Sequence, residues 1–203
     1  MLNKEQALSI LRKYIKTENT IKHLLATEAI MRALAKRFSA SNGGSADRGG
    51  EPENEAEWAM AGLLHDIDYE QFKDGNYDKH GELSIKILKR EGADLPETVY
   101  AAIKAHAFVF HPDWQPKNKM EWSLFICDSL TGLIVATTLV RPERKLVLVE
   151  VKSIMKKFKN KSFAAGTRRE DIKLCQEKLG ISLEEFMDLS LKAMQGIAKE
   201  LGL

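Results

Sequence analysis

The chain has only two cysteines, Cys127 and Cys175, and they do not form a Cys-x-x-Cys pair. That argues against a disulfide framework and against a thiolate zinc site, and it fits a reducing compartment. Excess charge is lacking too. Against 31 Lys and Arg stand 29 Asp and Glu, a net charge of +2, so bulk electrostatics favour no nucleic-acid complex. The opening stretch MLNKEQALSILRKYIK breaks its apolar residues with charges every few positions. It has the pattern of neither a signal peptide nor a membrane span. The expectation is a cytoplasmic protein with no membrane partner. Strand pairs are missing as well. LVLVEV at 146–151 is the one segment where a strand competes with a helix, and a lone strand has nothing to pair with. There is no internal repeat.

What is present is helical period. Leu8, Leu11 and Ile15 recur at three and four residues, as one face of a helix does. A second helix is expected from about 19 to 38, with Leu24, Ile30, Leu34 and Phe38 inward. The text from 39 to 54, SASNGGSADRGGEPEN, is rich in Gly, Ser and charge and reads as a mobile surface loop. Helical period resumes from 55 to 65 and from 81 to 90, where Gly92 is a natural stop. Pro96 suits the first turn of a helix reaching about 108. From 119 to 138 the chain is long and apolar with no charged face, which predicts a central buried helix. Trp58, Trp122 and Cys127 read as core side chains. Ser182 and Glu185 form a capping-box pattern for a last helix closed by Gly202. The fold class is therefore an all-α bundle. It reads as a single domain over 1–203, with a core at about 19–140, C-terminal helices at about 143–203 and the loop at 39–54.

A lone histidine is most often a surface or satisfied core residue. His65-Asp66 stands out because it ends an apolar helix, AGLLHDID. Successive helical residues point about 100° apart, so both side chains reach one cation only if the helix ends or tightens there. A carboxylate at a helix C-terminus is also electrostatically unfavourable, and a metal would compensate it. Asp128 lies inside the most apolar helix, in FICDSLTGLIV, where an unpaired carboxylate costs several kcal/mol, as an order of magnitude. His23, in TIKHLLATEAI, follows the same logic.

The order His23, His65-Asp66, Asp128 resembles the HD superfamily of metal-dependent phosphohydrolases, within it the subgroup of HD hydrolases with an HDIG-like core. KHGELSIKIL, DSLTGLIVAT, LVRP and KKFKNKSFAAG resemble that subgroup too. The resemblance implies an HD-domain helical bundle with a C-terminal helical extension. It also implies that these four residues bind one divalent cation. In binuclear members two further histidines hold a second ion and the paired Asp bridges both. His80 and His106 match those places, and His111 is a further candidate. The sequence reads His-Asp-Ile-Asp, with Asp68 where the HDIG motif has Gly. Asp68 is therefore either an orienting carboxylate for a ligand histidine or a turn residue. Imidazole and carboxylate donors without thiolate suit Mn, Fe, Co, Ni or Zn.

The implied activity is hydrolysis of a small phosphate ester, a nucleotide or relative, with Asp66, Asp68 and Lys104 as candidate catalytic groups. Such a substrate needs positive charge outside the metal shell. Arg141, Lys157, Lys161 and Arg168 are the candidates, the last three in or beside the basic stretch KSIMKKFKNK. Its bland reading is a solvated helix face. Two other classes share the ligand set: a di-iron oxygenase and a metal-containing nucleotide-binding or regulatory domain without turnover.

Overall fold

The structure is a computed structural model, and it describes residues 2–41, 54–72, 75 and 77–203. Among the described residues there are ten α-helices and no strand. They are α1 (Lys4–Tyr14), α2 (Glu18–Ser41), α3 (Glu55–Leu64), α4 (Glu82–Arg90), α5 (Glu97–His106), α6 (Lys119–Leu139), α7 (Val151–Lys159), α8 (Arg169–Leu174), α9 (Leu183–Gly196) and α10 (Ala198–Leu201). The segment that hesitated between strand and helix is a short 3-10 turn, Leu146–Leu148, followed by α7.

Side-chain caps set the helix starts. Asn3 forms a full capping box with Gln6. Asn54 accepts from the backbone N–H groups of Ala56 and Glu57. Asn118 accepts from Glu121 N–H, while the buried Glu121 carboxylate turns back to accept from Lys117 N–H at 2.7 Å. Ser182 accepts from Glu185 N–H, as its pattern predicted. Each such cap satisfies donors that a helix start leaves free, for about 1 kcal/mol. Gly92 stops α4 in the left-handed region, at φ 68°. Other boundaries differ from the periodic reading. α2 continues to Ser41, so the expected 39–54 loop starts later, and its residues 42–53 lie outside the described residues. α5 ends at His106 and tightens into a 3-10 turn, Ala107–Val109. The last helix breaks at Gly196, and a separate turn of helix, α10, precedes Gly202.

Two helices carry the architecture. α2 packs on α3, α6 and α9, and α6 packs on α5, α7 and α8. Leu24, Ile30, Met31 and Leu34 of α2 are fully buried, each stabilising by about 1.5–3 kcal/mol through removal of apolar surface from water. α6 is long and apolar enough to cross a membrane by composition, yet its most apolar window is 67% buried inside the fold. Its Thr137 and Thr138 hydroxyls donate to the carbonyls of Leu133 and Ile134 at 2.8 and 2.9 Å, which removes the cost of burying them. Ile154, Phe158, Phe186 and Met187 from the C-terminal helices join the same buried cluster as α2 and α6. Gly62 fixes the α2–α3 approach. A Cβ there would meet the Thr27 carbonyl group at 2.9 Å, so even alanine would push the helices apart. That approach brings His23 of α2 beside His65.

Candidate metal centre

α3 ends at Leu64, and the chain coils through tight turns: Ile67 N–H donates to Leu64 C=O at 3.3 Å and Tyr69 N–H to Asp66 C=O at 2.9 Å. The helix thus ends where two adjacent side chains must reach one point. His65 is fully buried and Asp66 nearly so. Two groups of donors that can hold a metal ion result, His23, His65, Asp66 and Asp128 on one side and Asp66, His80 and His106 on the other. In the first, His23 Nε2 lies 3.1 Å from Asp128 Oδ1 and 3.3 Å from His65 Nε2, and His65 Nε2 lies 3.5 Å from Asp66 Oδ2. In the second, Asp66 Oδ1 lies 3.3 Å from His80 Nε2 and 3.2 Å from His106 Nε2. Asp66 therefore offers one carboxylate oxygen to each group.

The protons on the far side of each ring settle what these atoms can do. His65 Nδ1–H donates to Gly62 C=O at 2.9 Å, and His106 Nδ1–H donates to Ile103 C=O. Each fills the carbonyl three residues back that an ending helix leaves free. His80 Nδ1–H donates to Asp68 Oδ1 at 3.0 Å. His23 Nδ1–H donates to Thr131 Oγ1 at 2.9 Å, because the Thr131 hydroxyl spends its own proton on Asp128 C=O. All four Nε2 lone pairs consequently face inward, where they meet one another and two carboxylates. His80 and His106 Nε2 approach to 2.9 Å. Lone pair against lone pair in a buried site requires positive charge between them. Donors around one first-row cation at about 2.0–2.2 Å stand roughly 3.0–3.5 Å apart, so the observed spacing fits such an ion. Outward hydrogen bonds that fix the ring tautomer are the usual support of metal-binding histidines.

Without a cation, protons must supply that charge. Burial opposes charging His65, yet the Asp66 and Asp128 carboxylates push it up to about 9. His80 is pushed up to about 10, again against burial, by Asp66 and Asp68. Asp66 and Asp128 are held far below the carboxylate range, Asp66 chiefly by His65 and Asp128 by His23 and His65. His106 is pushed down, because burial and two neighbouring imidazoles outweigh Asp66. A pH prediction follows for the metal-free chain. Groups raised in the folded state stabilise it fully below their unfolded pKa of about 6.5 and lose that contribution as pH rises through the folded value. Thermal stability should therefore fall between pH ~6.5 and ~10 in chelated protein. It should stay flat or rise with divalent metal, which displaces those protons. Melting curves at several pH values check this, and a chelated protein equally stable at both ends would refute it.

A family model for the HD domain matches residues 20–133, a span that holds all six donor residues. The chain belongs to the HD domain family. The match is to the HD domain as a whole and does not resolve the HDIG-like subgroup. No curated protein and no solved structure matches the chain.

The HD donors open onto a cavity of about 680 Å³, whose wall includes His23, Asp66, His80, Asp128 and Arg168. Other expected site residues lie elsewhere. Lys104 is exposed, its ammonium 4.9 Å from the centre of the Trp114 ring, and it does not line the cavity. His111 stacks on the same Trp114 at 3.7 Å, at the start of the 3-10 turn Pro112–Trp114, and belongs to neither donor group. Arg141 follows the C-terminal end of α6 and pairs with Glu143, and Lys157 lies over the Phe163 ring. Lys161 is exposed. None of these three lines the cavity. Asp68 lines it neither, but it is fully buried and orients His80, as one of its two readings held. Its Oδ2 also accepts from the N–H groups of Gly81 and Ser84, so it caps α4 from outside the helix.

Arg168 does reach the site. Its Nη2 stands 3.6 Å from Asp128 Oδ2, while its Nε donates to Asp171. What holds it there is not visible in the basic run. Arg169 is buried and donates to the carbonyls of Phe158, Asn160, Phe163, Ala164 and Thr167. It ties down the 160–168 turn, including Ala164 at φ 46°, so that this turn forms the cavity wall. A rim of aromatic rings was also missed. Tyr77 stacks between Phe110 at 5.1 Å and Tyr69 at 6.1 Å, and all three line the cavity.

Proposed function

We propose that the chain is a metal-dependent phosphohydrolase that cleaves a small phosphate ester bearing a flat ring, such as a nucleotide. The observation that carries the reading is the convergence of four outward-tethered imidazoles and two carboxylates beside a cavity that Arg168 also lines. His23, His65, Asp66 and Asp128 would hold one divalent cation, and His80 and His106 with the other oxygen of Asp66 a second. Cations there supply a bound water of lowered pKa and polarisation of a phosphoryl oxygen.

The chain's own residues do the rest. Asp171 occupies Arg168 Nε, and the outer guanidinium nitrogens, Nη2 beside Asp128, face the donor site, where they would meet phosphoryl oxygens. Asn19 and Thr20 add polar groups to the cavity lining. Tyr69 and Phe110 are 45% and 44% exposed, which leaves ring faces open for stacking at the rim. Burial of the donors keeps bulk water from competing for the ligand positions.

The test is phosphate release from nucleoside monophosphates, cyclic nucleotides and glycerol phosphate by the full chain loaded separately with Mn, Fe, Co, Ni and Zn. Turnover of ring-bearing esters in preference to glycerol phosphate is expected. Arg168→Ala should raise KM by about 10- to 100-fold, the loss of a charge-assisted contact of about 1.5–3 kcal/mol, with metal content unchanged. Oxygen uptake by the iron-loaded chain without phosphate release would overturn the hydrolase reading.

A further inference from the structure

A second cavity adjoins the donor cavity. About 370 Å³ in volume, it shares Asn19, His23, Thr131 and Gly132 with the first. Its walls are two helix faces. Asn19, Lys22, His23 and Ala26 stand at i, i+3, i+4 and i+7 along α2, and Gly132, Val135 and Leu139 at i, i+3 and i+7 along α6. Side chains so spaced share a face. Polarity changes along the groove. The end at His23 and Thr131 is the metal centre, whereas Val135, Leu139 and Leu201 make the far end apolar. From Thr131 to Leu139 the helix rises ~12 Å. Gly132 leaves the junction open, since a Cβ there would meet nothing within 4 Å. Lys22 is the single Lys, Arg, Asp or Glu in the described wall. Its ammonium stands 2.9 Å from where a Cβ on Gly202 would lie, so the apolar part of the far end is Val135, Leu139 and Leu201.

We infer that this groove is a subsite for a hydrocarbon substituent of the substrate, the phosphorus group of which sits at the HD donors. The inference rests on the hydrolase reading for the position of the phosphorus group. The residues shared with the donor cavity, His23 and Thr131 among them, select the occupant. A chain running from the phosphoryl position past Gly132 meets Val135, Leu139 and Leu201.

The experiment is calorimetric binding of inorganic phosphate, methylphosphonate, butylphosphonate and octylphosphonate to the Mn-loaded full chain. Affinity should rise with chain length, by up to about fourfold per methylene, as apolar burial allows. Val135→Glu and Leu139→Glu should abolish that rise and leave phosphate binding and metal content unchanged. Leu139 is 47% exposed and Val135 half-buried, so neither variant threatens the core. If phosphate and methylphosphonate bind but octylphosphonate binds no better, the groove inference fails and the hydrolase reading stands. A chain-length effect equal in both variants also overturns it. If neither phosphate nor any phosphonate binds, the inference falls together with the hydrolase reading.

Discussion

Asp66→Asn should empty both donor groups in one substitution. Asp66 alone offers an oxygen to each, Oδ2 beside His23 and His65, Oδ1 beside His80 and His106. Asparagine keeps the shape but removes the charge that offsets a divalent ion and one of the two acceptor oxygens. Elemental analysis should find the metal content near zero. Asp128→Asn should deplete only the first group, and His80→Ala and His106→Ala only the second. Phosphate release by the Asp66 variant should drop by at least about a thousandfold, the equivalent of several kcal/mol of lost charge stabilisation. Metal retained at wild-type stoichiometry in the Asp66 variant would remove the basis of the proposed function.

Asp68→Ala should be the most destabilising single change near the site. Its buried carboxylate accepts from His80 Nδ1–H, Gly81 N–H and Ser84 N–H at 3.0, 3.0 and 3.1 Å. Alanine strands two backbone donors at the start of α4 and frees the His80 ring. Lost hydrogen bonds to a buried charge put the cost at about 3–5 kcal/mol. For a chain of this size that is roughly a 10 °C fall in Tm. Metal affinity of the second donor group should weaken by about 10- to 100-fold, because His80 loses its orientation. Gly81, at φ 77° with its Cβ position 3.0 Å from the Ala107 side chain, ties this cap to α5, so the loss should spread to His106. A thermal melt within 2 °C or so of wild type would refute the capping role, whatever the kinetics.

How far the sequence reached differs from residue to residue, for physical reasons. His65, Asp66, Asp128 and His23 were legible because each puts a polar or charged group where its own helix is apolar, a conflict visible locally. His80 and His106 carry no such conflict, and only the resemblance to HD proteins singled them out. Lys104 and Lys157 lie beside aromatic rings rather than in the cavity lining, which spacing alone does not reveal. Arg169 was overlooked because a basic run reads as solvated, yet this guanidinium is buried among main-chain carbonyls that exist only once the 160–168 turn is formed. The expected single last helix broke at Gly196 because propensity does not locate the point where packing of α10 on α2 redirects the chain.

By itself the sequence determined the all-helical class, most helix starts, the core faces and the four residues whose polarity contradicts their surroundings. These follow from period and local energy, which neighbours along the chain decide. Only the tertiary structure decided that one carboxylate faces two donor groups, that all four ring protons point away from the centre, and that Arg168 arrives from outside the HD match to close the wall. Those depend on the distance and orientation of groups far apart in the chain, His23 and Arg168 among them. The close approach of α2, α3, α5 and α6, set in part by the missing side chain of Gly62, fixes them.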